Sequence, residues 1–215
     1  MKILSLVIPA LLAAALPAAA AVVYDNGGPN GVDGNETVAW VQSEDFKLGS
    51  STAIGGAGVY LGGFGGIGGY DGSFQYYLFS DSGGIPGSIL QSGSVTPTIT
   101  DTGMTWAFGG DSYLFRFAFP TFTAAAGTAY HLGIHAGATA NFNRDDIYWV
   151  TTNSNSTMTG IESHYGTFNN WANNGKQHAF FLTDAGVVPE PSALAAMGMG
   201  LSLVAFAARR RRAKV

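Results

Sequence analysis

The chain has 215 residues, no cysteine and a formal charge of −4, which excludes a disulfide framework, thiol chemistry and thiolate metal sites. Charged residues are only 11 %, against about 25 % in an average domain, while 13 % are aromatic and 31 are glycine; this balance excludes a disordered chain and points to short strands joined by turns. Between residues 22 and 186 the four bases Lys47, Arg116, Arg144 and Lys176 stand against thirteen acids, a formal −9, so no nucleic acid is expected as a partner, whereas cations and neutral polymers such as glycans are compatible with it.

The first element is a charged start at Lys2, an apolar run from Ile3 to Leu16, and Pro17 followed by four alanines. Charge, apolar region and small residues in that order read as a secretory signal peptide over residues 1–21, cleaved after Ala20 or Ala21. Pro9 and Pro17 argue against a buried N-terminal helix. The next segment crowds Asp25, Asn26, Asp33, Asn35 and Glu36 among glycines. Oxygen ligands on such a loop are what Ca²⁺ takes, so Asp25, Asp33, Asn35 and Glu36 form the candidate metal set. The spacing is not that of an EF-hand, and a chain of Asx-turns holding the backbone is the competing reading. No other cofactor is expected.

From Thr37 onward the pattern is strand-like. Runs over Thr37–Leu48, Ala57–Leu61, Ser73–Phe79, Ser88–Val95, Tyr113–Phe119, Thr128–His135, Asp146–Thr151 and His178–Thr183 alternate or carry strand composition. The cleanest places Phe115, Phe117 and Phe119 on one face and Leu114, Arg116 and Ala118 on the other. Turn signals intervene at Asp25–Pro29, Asp81–Gly84, Ile85–Gly87 and Gly109–Asp111. Eight or nine strands at this spacing predict an all-β fold, an antiparallel β-sandwich of jelly-roll type, over residues 22–186.

Within that domain the residue types that carry chemistry are sparse. Glycine-rich Gly55–Gly72 contains Gly63 to Gly68, a formal G-x-G-x-x-G match, but no βαβ unit surrounds it and no helix follows, so the match reads as a flexible or tight-turned loop beside Tyr60 and Tyr70. His131 and His135 share a strand face without an identifiable third ligand; His164 and His178 read as isolated. Glu44–Asp45, Asp145–Asp146 and Glu162 are the acids to weigh for glycoside hydrolysis, which needs two carboxylates across a cleft, and they read by default as solvated turn acids. No nucleophile-elbow or zincin motif occurs, and the chain is not expected to be an enzyme. Trp149 lies in a strand and is expected in the core. Trp171, flanked by Asn169, Asn170, Asn173 and Asn174, reads as loop-borne; with Tyr70 it is the candidate glycan-stacking platform, since amphipathic rings offer a flat apolar face and a polar tip.

The last segment opens with Val188-Pro189-Glu190-Pro191-Ser192 and continues without a charge to Ala208, then meets Arg209, Arg210, Arg211 and Arg212. The apolar stretch, about 192–208, is at the short end of what spans a bilayer, and the arginines stop transfer and stay cytoplasmic. Residues 187–215 so read as a C-terminal transmembrane helix with an extended, proline-framed handle before it.

The Pro189-Glu190-Pro191 motif, spanning stretch and arginine cluster resemble the PEP-CTERM sorting signal of Gram-negative bacteria. The resemblance implies recognition of Pro189, Glu190 and Pro191 by exosortase, a membrane-embedded cysteine protease, in hosts that make extracellular polysaccharide. Val23–Asn30, Trp40, Tyr77–Leu90 and Tyr130–His135 are in turn similar to a module of PEP-CTERM surface proteins, which implies the architecture and setting but no active site. The expectation is an inner-membrane-tethered precursor that reaches the cell surface as a non-enzymatic protein associated with exopolysaccharide or biofilm. The alternatives are a secreted glycan-active hydrolase on the same scaffold and a structural coat component stabilised by Ca²⁺.

Overall fold

The computed structural model describes residues 20–106, 109–138, 143, 145–153, 159–164 and 168–186. The signal peptide and the C-terminal helix with its sorting motif and arginine cluster lie outside the described residues. Those described carry no helix. Their strands are β1 (Val22–Asp25), β2 (Gly34–Glu36), β3 (Trp40–Lys47), β4 (Thr52–Gly63), β5 (Phe74–Asp81), β6 (Pro86–Val95), β7 (Thr98–Thr105), β8 (Asp111–Ala124), β9 (Ala129–His135), β10 (Ile147–Val150), β11 (Ile161–His164), β12 (Trp171–Asn173) and β13 (Phe180–Asp184).

They form two antiparallel sheets. The seven-stranded sheet is organised about the long β4. One edge of β4 pairs with β13 and then β10, which extend it to β1 and β2; its other edge pairs with β8, which carries β7. The six-stranded sheet runs β12-β11-β3-β9-β5-β6. Their inner faces meet in one apolar core. β8 contributes Phe115, Phe117 and Phe119, β4 Ala57, Val59 and Leu61, β5 Phe74, Tyr76 and Leu78, and β9 Leu132 and Ile134. The rings interlock: Phe74 lies 5.1 Å from Phe117 and Tyr76 stacks 5.0 Å from Phe119. Each fully buried side chain of this size contributes about 1.5–3 kcal/mol, so the alternation of these strands fixes their register.

All eight expected strand runs are strands, and Trp149 is fully buried in β10. In the glycine-rich segment the expected strand Ala57–Leu61 is longer than its run: β4 takes in Gly55 and Gly56 before it and Gly62 and Gly63 after it, and the turn begins only after Gly63. The reason is on the outer face of the sheet, where large groups occupy the space a Cβ would need. The Phe181 ring lies on Gly58, the Trp106 indole would stand 3.0 Å from a Cβ at Gly62, and the Ala185 backbone 2.6 Å from one at Gly55. Glycine in this strand admits close approach, at a cost of about 0.5–1 kcal/mol each relative to alanine.

Candidate functional site

Strand β3 turns polar side chains toward the interior. Gln42, Glu44 and Phe46 stand opposite Ile134, Leu132 and Tyr130 of β9, and directly opposed residues share a face. Gln42 and Glu44 therefore point inward with Phe46. Across the interior Asn35 of β2 is opposed to Trp149, which is opposed to Leu61, so Asn35 points inward from the other sheet. Between them lies His178, just before β13. Glu44 and His178 are both fully buried.

The contacts form a chain across the sandwich. Glu44 Oε2 lies 2.8 Å from His178 Nδ1 and also accepts the His178 backbone N–H at 2.8 Å. His178 Nε2 lies 3.0 Å from Asn35 Oδ1. The Asn35 amide donates to Glu162 Oε2 at 3.5 Å, and Gln42 Nε2 donates to the same oxygen at 3.1 Å and to Glu36 O at 2.8 Å. Asn174 donates to Gln42 Oε1 at 2.9 Å. The His178 ring stacks on Trp149 at 5.0 Å. Gly160 makes room for it, because a Cβ there would sit 2.6 Å from His178 Cε1.

Donor and acceptor types set the protons. An amide oxygen only accepts, so His178 Nε2 carries hydrogen, and Nδ1 shares a second proton with Glu44 Oε2. Burial pushes the Glu44 carboxyl above its ordinary value, opposed by the hydrogen bonds and charge of His178. Glu44 Oε1 is buried with no hydrogen-bond partner, which also favours the protonated acid. Glu162 is half-buried, so the chain runs from a sealed acid–base pair toward the surface.

Beside this network is a shallow polar groove of about 270 Å³, lined by Asn30, Asp33, Thr151, Asn153, Lys176 and Gln177 among others. Lys176 Nζ closes on Asp33 Oδ2 at 2.6 Å. Burial works against ionisation of Asp33, but the hydrogen bonds from Lys176 and Gly34 outweigh it and hold the carboxyl below its usual range.

The candidate metal residues are divided among separate tasks. Asp25 accepts the Gly27 amide and Asp33 the Gly34 amide; Asn35 belongs to the His178 chain; Glu36 caps the next turn through the Val38 and Ala39 amides at 3.0 and 2.7 Å. Among the described residues no three His, Asp or Glu side chains converge on one point. Of the two glycan candidates, Tyr70 packs edge-on against Phe115 at 5.2 Å with its hydroxyl buried and without a partner; burial, then Asp71, pushes that hydroxyl up to about 12. Trp171 is in β12 and not in a loop: its ring lies 5.4 Å from Phe79 and its Nε1 donates to Phe168 O at 3.0 Å. Phe168 completes a cluster with Tyr77 at 5.0 Å on the outer face of the six-stranded sheet. That face accepts the rings because Ser43, Gly133 and Ser163 on it are small.

His131 and His135 do share a face, but each has its own partner. His131 Nε2 lies 2.9 Å from Asp81, and His135 Nε2 lies 2.7 Å from Val38 O. Expectations are corrected here: Glu44 and Asp45 are buried in the body of β3 and Glu162 is half-buried in β11, so none of the three is a solvated turn acid, and His178 is not isolated. The signal for Glu44 was present in the sequence. It is an acid at an inward position of an alternating strand, two residues from Phe46, and such a residue requires a buried partner. The sequence did not say which residue that partner was.

Residues 187–212 match the family model of the PEP-CTERM protein-sorting motif. Neither the curated proteins nor the solved structures contain a match to this chain. The motif is that of exported proteins processed at the membrane by exosortase and delivered to the cell surface.

Proposed function

We propose that this is an exosortase-sorted surface protein whose β-sandwich associates with extracellular polysaccharide and performs no catalysis of its own. The sorting motif at residues 187–212, immediately after the last strand, carries the reading. In it, residues 1–21 direct export, the apolar stretch 192–208 tethers the precursor in the inner membrane, and Pro189, Glu190 and Pro191 form the handle for processing. The domain suits a neutral glycan in two respects. Its formal −9 repels polyanions, and half-buried Trp171, Phe168 and Tyr77 form an aromatic cluster on an outer face.

Glu44, one of the acids a hydrolase would draw on, is fully buried against His178, where no glycan reaches it. This supports the non-enzymatic reading over the hydrolase. Asp25, Asp33, Asn35 and Glu36 are each engaged by separate partners, which gives the Ca²⁺-stabilised coat no support from these four residues.

Titration of the purified protein with the host's exopolysaccharide tests the reading. Tryptophan fluorescence is expected to change and the protein to co-sediment, and Trp171→Ala to weaken binding by about 1–2 kcal/mol, as for truncation of an aromatic contact residue. Absence of both signals in the parent protein overturns the association.

A further inference from the structure

The margin of the sandwich formed by β6 and β7 is unlike its other edges. β1, β2 and β12, the other terminal strands, are three or four residues long. β6 and β7 have ten and eight residues, and among the described residues each pairs on one side only, β6 with β5 and β7 with β8. Natural edges of this length are guarded by lysine, inward charges or interrupting prolines. Here no base occurs between Lys47 and Arg116, Asp101 is the sole charge from residue 85 to 105, and Pro86 and Pro97 only precede or open the strands. Five of the eight large apolar side chains exposed among the described residues lie on this margin: Ile85, Ile89, Leu90, Ile99 and Met104.

We propose that this margin is a self-association surface on which β7 pairs antiparallel with β7 of a second copy, extending the seven-stranded sheet across a two-fold axis. The charge distribution selects the occupant. Copies of a domain with a formal −9 repel one another, and this strip, with Asp101 as the one charge from residue 85 to 105, is where that repulsion is least. The unpaired N–H and C=O groups of an edge require an extended strand, and the same strand of an identical chain satisfies both partners alike. Register follows from side chains. Pairing with β8 is regular from Thr98 to Asp101 and irregular beyond it. Centring the axis on Ile99 sets Ile99 against itself and Thr98 against Thr100, and it keeps the two Asp101 carboxylates apart, each opposite Pro97. Threonine and apolar pairs are favourable across strands, and like charges directly opposed are not.

The absence of cysteine makes the test direct. In the full chain, single substitutions Thr98→Cys, Ile99→Cys, Thr100→Cys, Asp101→Cys and Thr102→Cys are oxidised mildly and resolved on a non-reducing gel. Exposed Ser51→Cys is the control. A disulfide requires Cα atoms within about 7 Å, so Ile99→Cys is expected to give roughly tenfold more covalent dimer than the control. Adding Thr100→Lys to Ile99→Cys is expected to return the dimer to the control level. If none of the five exceeds the control, or if Thr100→Lys leaves the dimer unchanged, the proposal is overturned.

Discussion

Glu44 is a carboxyl removed from water, facing one imidazole and, at Oε1, nothing. Removing one partner of such a pair is expected to cost about 3–5 kcal/mol, since the other is left buried and unmatched. The raised Glu44 value fixes a sign for pH dependence. The folded chain holds the proton above the ordinary value of 4.5, where the unfolded chain has released it. The stability this contributes is complete below 4.5 and is lost as pH rises through the folded value. Glu44→Gln keeps the shape and cannot ionise. Melting temperature measured from mild acid to alkaline pH is expected to fall more steeply in the parent than in Glu44→Gln. Parallel profiles would show that Glu44 does not titrate in the folded state.

At the scale of the element, β4 shows how a strand with little strand propensity is held. Its glycines are low in β-propensity, yet β4 has neighbours along both edges. Phe181 covers Gly58 from one side, and Arg116 sits over the same ring at 5.1 Å. Gly58→Ala raises intrinsic strand preference but drives a methyl into the Phe181 ring. It is expected to destabilise by about 1–3 kcal/mol, the usual cost of overpacking. A denaturant midpoint equal to or above that of the parent would show that Phe181 moves aside freely. The apolar, alternating strands β5, β8 and β9 were legible in the sequence because the core reads one face of each. β7 was not, because its threonines and glycine expose both faces and leave no alternation. β1, β2, β11 and β12 were missed because three or four residues carry no period; β10, equally short, was legible as a wholly buried apolar run.

The molecule as a whole joins a sandwich whose described interior grades from aromatic to polar with a sorting motif at residues 187–212. Substituting alanine at Pro189, Glu190 and Pro191 together is expected to leave the tail attached, so that the surface form runs heavier than the parent by the mass of the tail. Mass spectrometry of the two decides it, and equal masses would remove processing at this motif. By itself, the sequence determined the sorting motif, because its information is contiguous: the Pro-Glu-Pro motif, apolar stretch and arginines follow one another along the chain. It also determined the all-β class, because strand alternation is local. Only the tertiary structure decided that Glu44 meets His178, that β4 is built through glycine, and that β6 and β7 each pair on one side only among the described residues. Each of these depends on residues far apart in sequence, and local spacing carries no record of which distant ring, proton or edge will face a given side chain.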